Sequence, residues 1–80
     1  MFYLVEKQFP GSRGDYVPMQ VASSFEEGIE LIAGLEGILT NSVRYDNITE
    51  VDEAGNTAKY YTAYNGRVGT DFRITRLARS

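Results

Sequence analysis

Chemistry in this chain has to come from carboxylates, tyrosines, lysines and arginines. Its 80 residues include no His and no Cys, so the commonest general base and the commonest transition-metal ligand are both missing. Thiolate zinc sites, iron–sulfur clusters, Cys nucleophiles and disulfides go with them. A Ser-His-Asp triad cannot be assembled. Neither G-x-x-x-x-G-K-S/T nor G-x-G-x-x-G occurs, so no phosphate-cradling loop is signalled. Asp46, Asp52 and Glu53 miss the calcium-loop spacing. Glu50 and Asp52 would share a strand face about 7 Å apart at the strand rise, which alone does not mark a catalytic pair. Arg13-Gly14-Asp15 and the sequon Asn47-Ile48-Thr49 are short enough to arise by chance. These observations predict a non-enzymatic protein with no cofactor and no metal.

Charge is the stronger signal. Formal net charge is −3, yet Glu26 to Glu53 alone holds eight acids against Arg44, a local balance of −7. Lys59 to Ser80 holds five bases against Asp71, a balance of +4, and the first 25 residues are neutral. An acidic surface made by Glu26, Glu27, Glu30, Asp46, Asp52 and Glu53 would steer the protein onto a basic partner surface. The basic half offers Lys59, Arg67, Arg73 and Arg76, with Arg79 beyond them. These residues could contact phosphate while a Tyr stacks on bases, although a pI of about 4.8 is far from that of typical nucleic-acid binders.

The elements that must position these residues can be read from patterning. Phe2 to Phe9 is aromatic and β-branched, a strand. Residues 10–15, with two Gly and a Pro, form a loop. Tyr16 to Val21 alternates with Val17, Met19 and Val21 on one side, and Pro18 restricts it to an edge. Ser24-Phe25-Glu26-Glu27 is a capping box: Ser24 can accept from the N–H of Glu27, whose side chain can reach back to the N–H of Ser24. Phe25, Ile29, Ile32 and Leu35 recur at helical spacing with Leu31 beside them, and Gly37 supplies a stop. The helix runs over 24–36. Its Gly28 and Gly34 each cost about 1 kcal/mol against Ala, which predicts close approach to a sheet. Ser42 to Val51 is a strand with Val43 and Tyr45 facing one way and a bulge or bend at Asp46-Asn47. Asp52 to Gly55 is a type I turn. Thr57 to Tyr64 and Val68 to Leu77 complete a meander.

The predicted architecture is therefore a single α+β domain over 1–80. A five-stranded, mostly antiparallel sheet in the order β-β-α-β-β-β has one amphipathic helix on one face. Its other face stays wet and is the natural place for function. Which tyrosine stands there depends on the hairpin after Tyr64, because a one-residue slip reverses every side chain. A two-residue Asn65-Gly66 loop buries Tyr61 and exposes Tyr60 and Tyr64. A three-residue loop ending at Arg67 puts Tyr60, Tyr64, Phe72 and Ile74 together and leaves Tyr61 outside with Lys59, Asp71 and Arg73. The second is preferred.

No run approaches the roughly 20 apolar residues that cross a bilayer, and the first six residues do not resemble a signal peptide. A cytoplasmic location without membrane contact is expected. The leading expectation is a protein-binding domain, an inhibitor or adaptor in the format of phage-encoded inhibitors of host machinery. It docks the acidic surface on a basic protein partner, with Tyr61 as anchor. Two others are nucleic-acid binding through the C-terminal Tyr/Arg strands and capture of a phosphorylated small ligand by Arg67, Arg73 and Tyr61 at an oligomer interface. The terminal strand, as a free edge without Pro, leaves homodimerisation open.

Overall fold

The computed structural model describes residues 2–9 and 14–78, so Arg79 and most of the 10–15 loop lie outside it. Strands β1 (Tyr3–Gln8) and β2 (Tyr16–Ala22) precede helix α1 (Phe25–Glu36). A short 3₁₀ turn at Thr40–Ser42 then leads into β3 (Val43–Val51), β4 (Thr57–Asn65) and β5 (Val68–Arg76). All pairings are antiparallel and the order is β2-β1-β5-β4-β3. The α+β sheet with one helix on one face is as the sequence predicts. The terminal strand is not an edge. It lies between β1 and β4, because Tyr3 to Lys7 pairs with Phe72 to Arg76 and the Leu77 amide donates to the Phe2 carbonyl. The edges are β2 and β3.

Helix α1 begins as its sequence requires. Ser24 has an extended backbone and its Oγ accepts from the Glu27 amide at 3.0 Å. The return bond goes one residue further back than the capping box predicts: Glu27 accepts from the amide and hydroxyl of Ser23. Gly37 closes the helix in the left-handed region, and the Ile38 amide reaches the Ala33 carbonyl, the 6→1 bond of a Schellman motif. The buried stripe is Phe25, Gly28, Ile29, Ile32 and Ala33, not the stripe through Leu35, which stays 39% exposed. These residues cover Val5, Tyr61, Ala63, Phe72 and Ile74 from the sheet. Phe72, Ile32, Ile74 and Val5 are the largest fully buried side chains, each contributing about 1.5–3 kcal/mol by burial.

Irregular residues shape both edges. Gln20 pairs with Val5 but Pro18 with Glu6, so Met19 is an extra residue. Val17 and Val21, expected on one side, consequently face opposite sides. In β3 the register slips between Tyr45 and Thr49 around Asn47 at φ 60°, as the Asp46-Asn47 pattern predicts. The β3–β4 turn is held by Asp52, whose Oδ1 accepts from the amides of Ala54 and Asn56 at 2.9 Å.

The two helix glycines answer to different constraints. A Cβ on Gly28 would lie 2.6 Å from Ile74 Cδ1, whereas one on Gly34 would meet nothing within 4 Å. Close approach to the sheet explains Gly28 only. Gly28→Ala is expected to lose about 1 kcal/mol net, overpacking outweighing helix propensity. Gly34→Ala is expected to gain about 1 kcal/mol. Urea unfolding should show the two midpoints moving in opposite directions at unchanged slope.

Candidate functional site

Period two in β1 sends Val5 to the core and Glu6 to the uncovered face. There Glu6 meets β5, where Phe72 and Ile74 point inward and Asp71, Arg73 and Thr75 outward. Although only 7% exposed, the Glu6 carboxylate is fully bonded. It accepts from Arg73 Nε at 2.9 Å, from Arg73 Nη2 at 2.8 Å and from the Thr75 hydroxyl at 2.9 Å. This bidentate pair lies near the middle of the face. The Arg73 guanidinium also covers the Tyr16 ring at 4.5 Å, and Tyr16 meets Tyr60 edge-on at 5.8 Å. Glu6 holds the Arg73 pKa above its ordinary value.

Around this centre the carboxylates are bound by hydroxyls. Tyr60 Oη donates to Glu50. The Thr62 hydroxyl lies 2.9 Å from both oxygens of Asp46 and 3.4 Å from one of Asp71. The bond to Glu50, and then burial, raise the Tyr60 pKa. Burial first and Asp71 second raise that of Tyr16. Among the described residues the face has Arg44, opposite Thr62, as its other cation. Beside Tyr60 is a hollow of about 340 Å³ whose lining includes Leu4, Ala58, Leu77, Glu50 and Asp52. Asp52 is held below the usual carboxylate range by its bonds from Asn56 and Ala54.

The β4–β5 register corrects the preferred assignment of the tyrosines. Asn65 pairs with Val68 and Tyr61 with Phe72, so the two-residue connection is Gly66-Arg67, with Gly66 at φ 66°. Tyr61 therefore points to the helix and is 4% exposed, its pKa raised by burial. It cannot be an exposed anchor, nor can it join Arg67 and Arg73 around a phosphate. Tyr60 and Tyr64 are outside.

The acids do not form one surface. Phe25 packs on Tyr3 at 4.9 Å, Tyr3 lies opposite Arg76, and Arg76 opposite Thr57. The helix N-terminus and the 52–55 turn therefore share one end of the sheet. Glu26 stands at that end on the helix and Glu53 in the turn, with Glu27 bonded to Ser23, while Glu30 lies one helical turn further along. Asp46 is on the uncovered side, and Asp52, at the start of the turn, lines the hollow there. The bases do not converge either. Lys59 covers the rings of Phe25 and Tyr45 on the helix side, and Arg76 reaches Thr57. Arg67 occupies a turn, and Arg73 is paired with Glu6. Glu6 and Tyr16 were missed by sequence reasoning. Alternation in β1 marks Glu6 as outward, but no local signal links it to Arg73.

Two outcomes follow. Arg73→Met, which strands a buried carboxylate, is expected to cost about 3–5 kcal/mol, and Glu6→Leu about 2–3. The double variant should cost less than their sum by about 1–3 kcal/mol, measured by denaturant unfolding. The depressed Asp52 pKa adds stability that is complete above the ordinary carboxylate pKa and is lost as pH falls through the lower folded value. The stability gap between wild type and Asp52→Ala should accordingly narrow as pH drops from about 5 to about 2, which thermal unfolding across that range checks.

No helix among the described residues is long and apolar enough to cross a membrane. The chain matches no protein-family model, no curated protein and no solved structure.

Proposed function

We propose that this chain is a non-enzymatic protein-binding domain, an inhibitor or adaptor, that presents its uncovered sheet face to a basic surface on a protein partner. One observation carries the reading. On that face Glu6 neutralises Arg73, Asp46 and Glu50 are bonded to hydroxyls, Asp71 lies 3.4 Å from the Thr62 hydroxyl, and these three acids stand against Arg44 alone among the described residues. A hydroxyl positions a carboxylate without cancelling its charge, so the face keeps a negative field able to speed encounter with a cationic surface. Tyr16, Tyr60 and Arg73 supply side chains enriched at binding hot spots, already ordered against one another.

The test is capture of a partner from the source cell, followed by kinetics with that partner purified. Reversing the face with Asp46→Lys, Glu50→Lys and Asp71→Lys should slow association about tenfold or more at low salt. Reversing the helix with Glu26→Lys and Glu30→Lys should leave it nearly unchanged. If the helix set abolishes binding and the face set does not, the docking surface is wrongly placed.

A further inference from the structure

The hollow beside Tyr60 gives the docking reading a finer content. Resting on that reading, we propose that this hollow receives one lysine or arginine side chain of the partner.

The hollow exists because Ala58 is short. In the sheet it lies between Glu50 of β3 and Thr75 of β5, and longer neighbours rise around it. Leu4, Leu77 and the Ala58 methyl give it aliphatic walls, Tyr60 gives it a ring, and Glu50 and Asp52 stand in its lining. Its volume of about 340 Å³ is at the small end of ligand sites and suits one side chain better than a whole small molecule.

Its chemistry selects the occupant. Glu6 and Arg73 also line it, but they neutralise each other. Glu50 and Asp52 are left as two uncompensated negative charges among the described lining residues. Both are fixed in place, Glu50 by the Tyr60 hydroxyl and Asp52 by two amides and the Asn56 side chain. An anion entering would meet like charge. A neutral apolar chain would strip water from the carboxylates and offer nothing in return. A lysine or arginine satisfies both parts at once, its methylene stem on Leu4, Ala58 and Leu77 and its cation toward Glu50 and Asp52. The ring of Tyr60 adds a face attractive to the same cation.

The probes are Nα-acetyl-lysine methylamide and Nα-acetyl-arginine methylamide, with Nα-acetyl-norleucine methylamide as the neutral control. Each is titrated into the full chain and followed by amide chemical shifts. Both cations should give saturable shifts at Glu50, Ala58, Tyr60, Thr75 and Leu77, with dissociation constants on the order of 10 mM, and norleucine should not. Ala58→Leu, which fills the hollow, should weaken this binding about fivefold or more. Glu50→Gln, which leaves the hollow open and the fold intact, should weaken it about threefold, and it carries the test if Ala58→Leu loses its dispersed spectrum. Equal shifts from norleucine overturn the proposal, as do shifts centred on the acids of α1 or undiminished binding to both variants. The two failures are distinguishable. Cations that miss the hollow, while the face reversal still slows the partner, remove only the inserted side chain. Cations that fill it, while the reversal (which includes Glu50) leaves the partner unaffected, remove the docking face and with it the partner's side chain as the occupant, and leave the hollow as a cation site.

Discussion

The pairing of β1 with β5 is the constraint on which the remaining structure depends. Without it the chain is a β1–β2 hairpin and a separate β3–β4–β5 meander, and an isolated hairpin is marginal in water. Joining them closes a loop of more than sixty residues, so its entropy cost comes before most of the contacts that offset it. Both faces contribute to that junction. On the helix side Val5 meets Ile74 beneath α1, and on the other Glu6 meets Arg73 and Thr75. The apolar side supplies most of the energy. The polar side supplies register, since a one-residue slip would bring Glu6 into the core and leave Arg73 without its partner. The same pair sets the uncovered face: with Arg73 engaged, the surrounding carboxylates outnumber Arg44 and leave the face negative.

How far the sequence discloses this depends on the range of each interaction. Elements defined by neighbours were legible: the Ser24 cap, the Gly37 stop, the irregularity at Asp46-Asn47, the Asp52–Gly55 turn and the edge position of the Pro18 strand. Each is decided by residues within about four positions of one another. The β4–β5 register was not legible, because Asn65-Gly66-Arg67 permits several loops with opposite facing. Gathering Tyr60 and Tyr64 with Phe72 looked like better core packing than the arrangement that occurs. In the fold Tyr61, between Ala63 and Lys59, fills the space beneath α1 with one ring, and small Ala63 accommodates the helix beside it. Aromatic count alone could not choose between these packings.

Charge shows the same dependence on range. The division into an acidic middle and a basic end suggests two surfaces, but strand alternation and the β3 bulge scatter both sets. Asp46 and Glu50 go to the uncovered face, Asp52 to the rim of its hollow, Glu53 to the turn at the sheet end, and Glu26 and Glu30 to the helix. Lys59 lies across Phe25 and Tyr45, where its stem covers aromatic surface, so a residue read as a phosphate contact instead roofs the core. Segmental charge was right about sign and wrong about place, because place follows from strand pairing.

The edges bear on how such a domain recognises anything. Addition of a partner strand needs a flat edge with regular donors and acceptors. The β2 edge is broken by Pro18, which has no N–H, and by the extra residue at Met19. The β3 edge is broken by the left-handed turn of Asn47 and the slip around it. Main-chain recognition, the mode most tolerant of partner sequence, is therefore disfavoured at both ends of the sheet. What the sheet offers instead are side chains held by one another: Arg73 between Glu6 and Tyr16, Tyr60 between Tyr16 and Glu50, Thr62 between Asp46 and Asp71. A surface ordered before contact loses little conformational entropy on binding, and its specificity resides in where each charge is fixed.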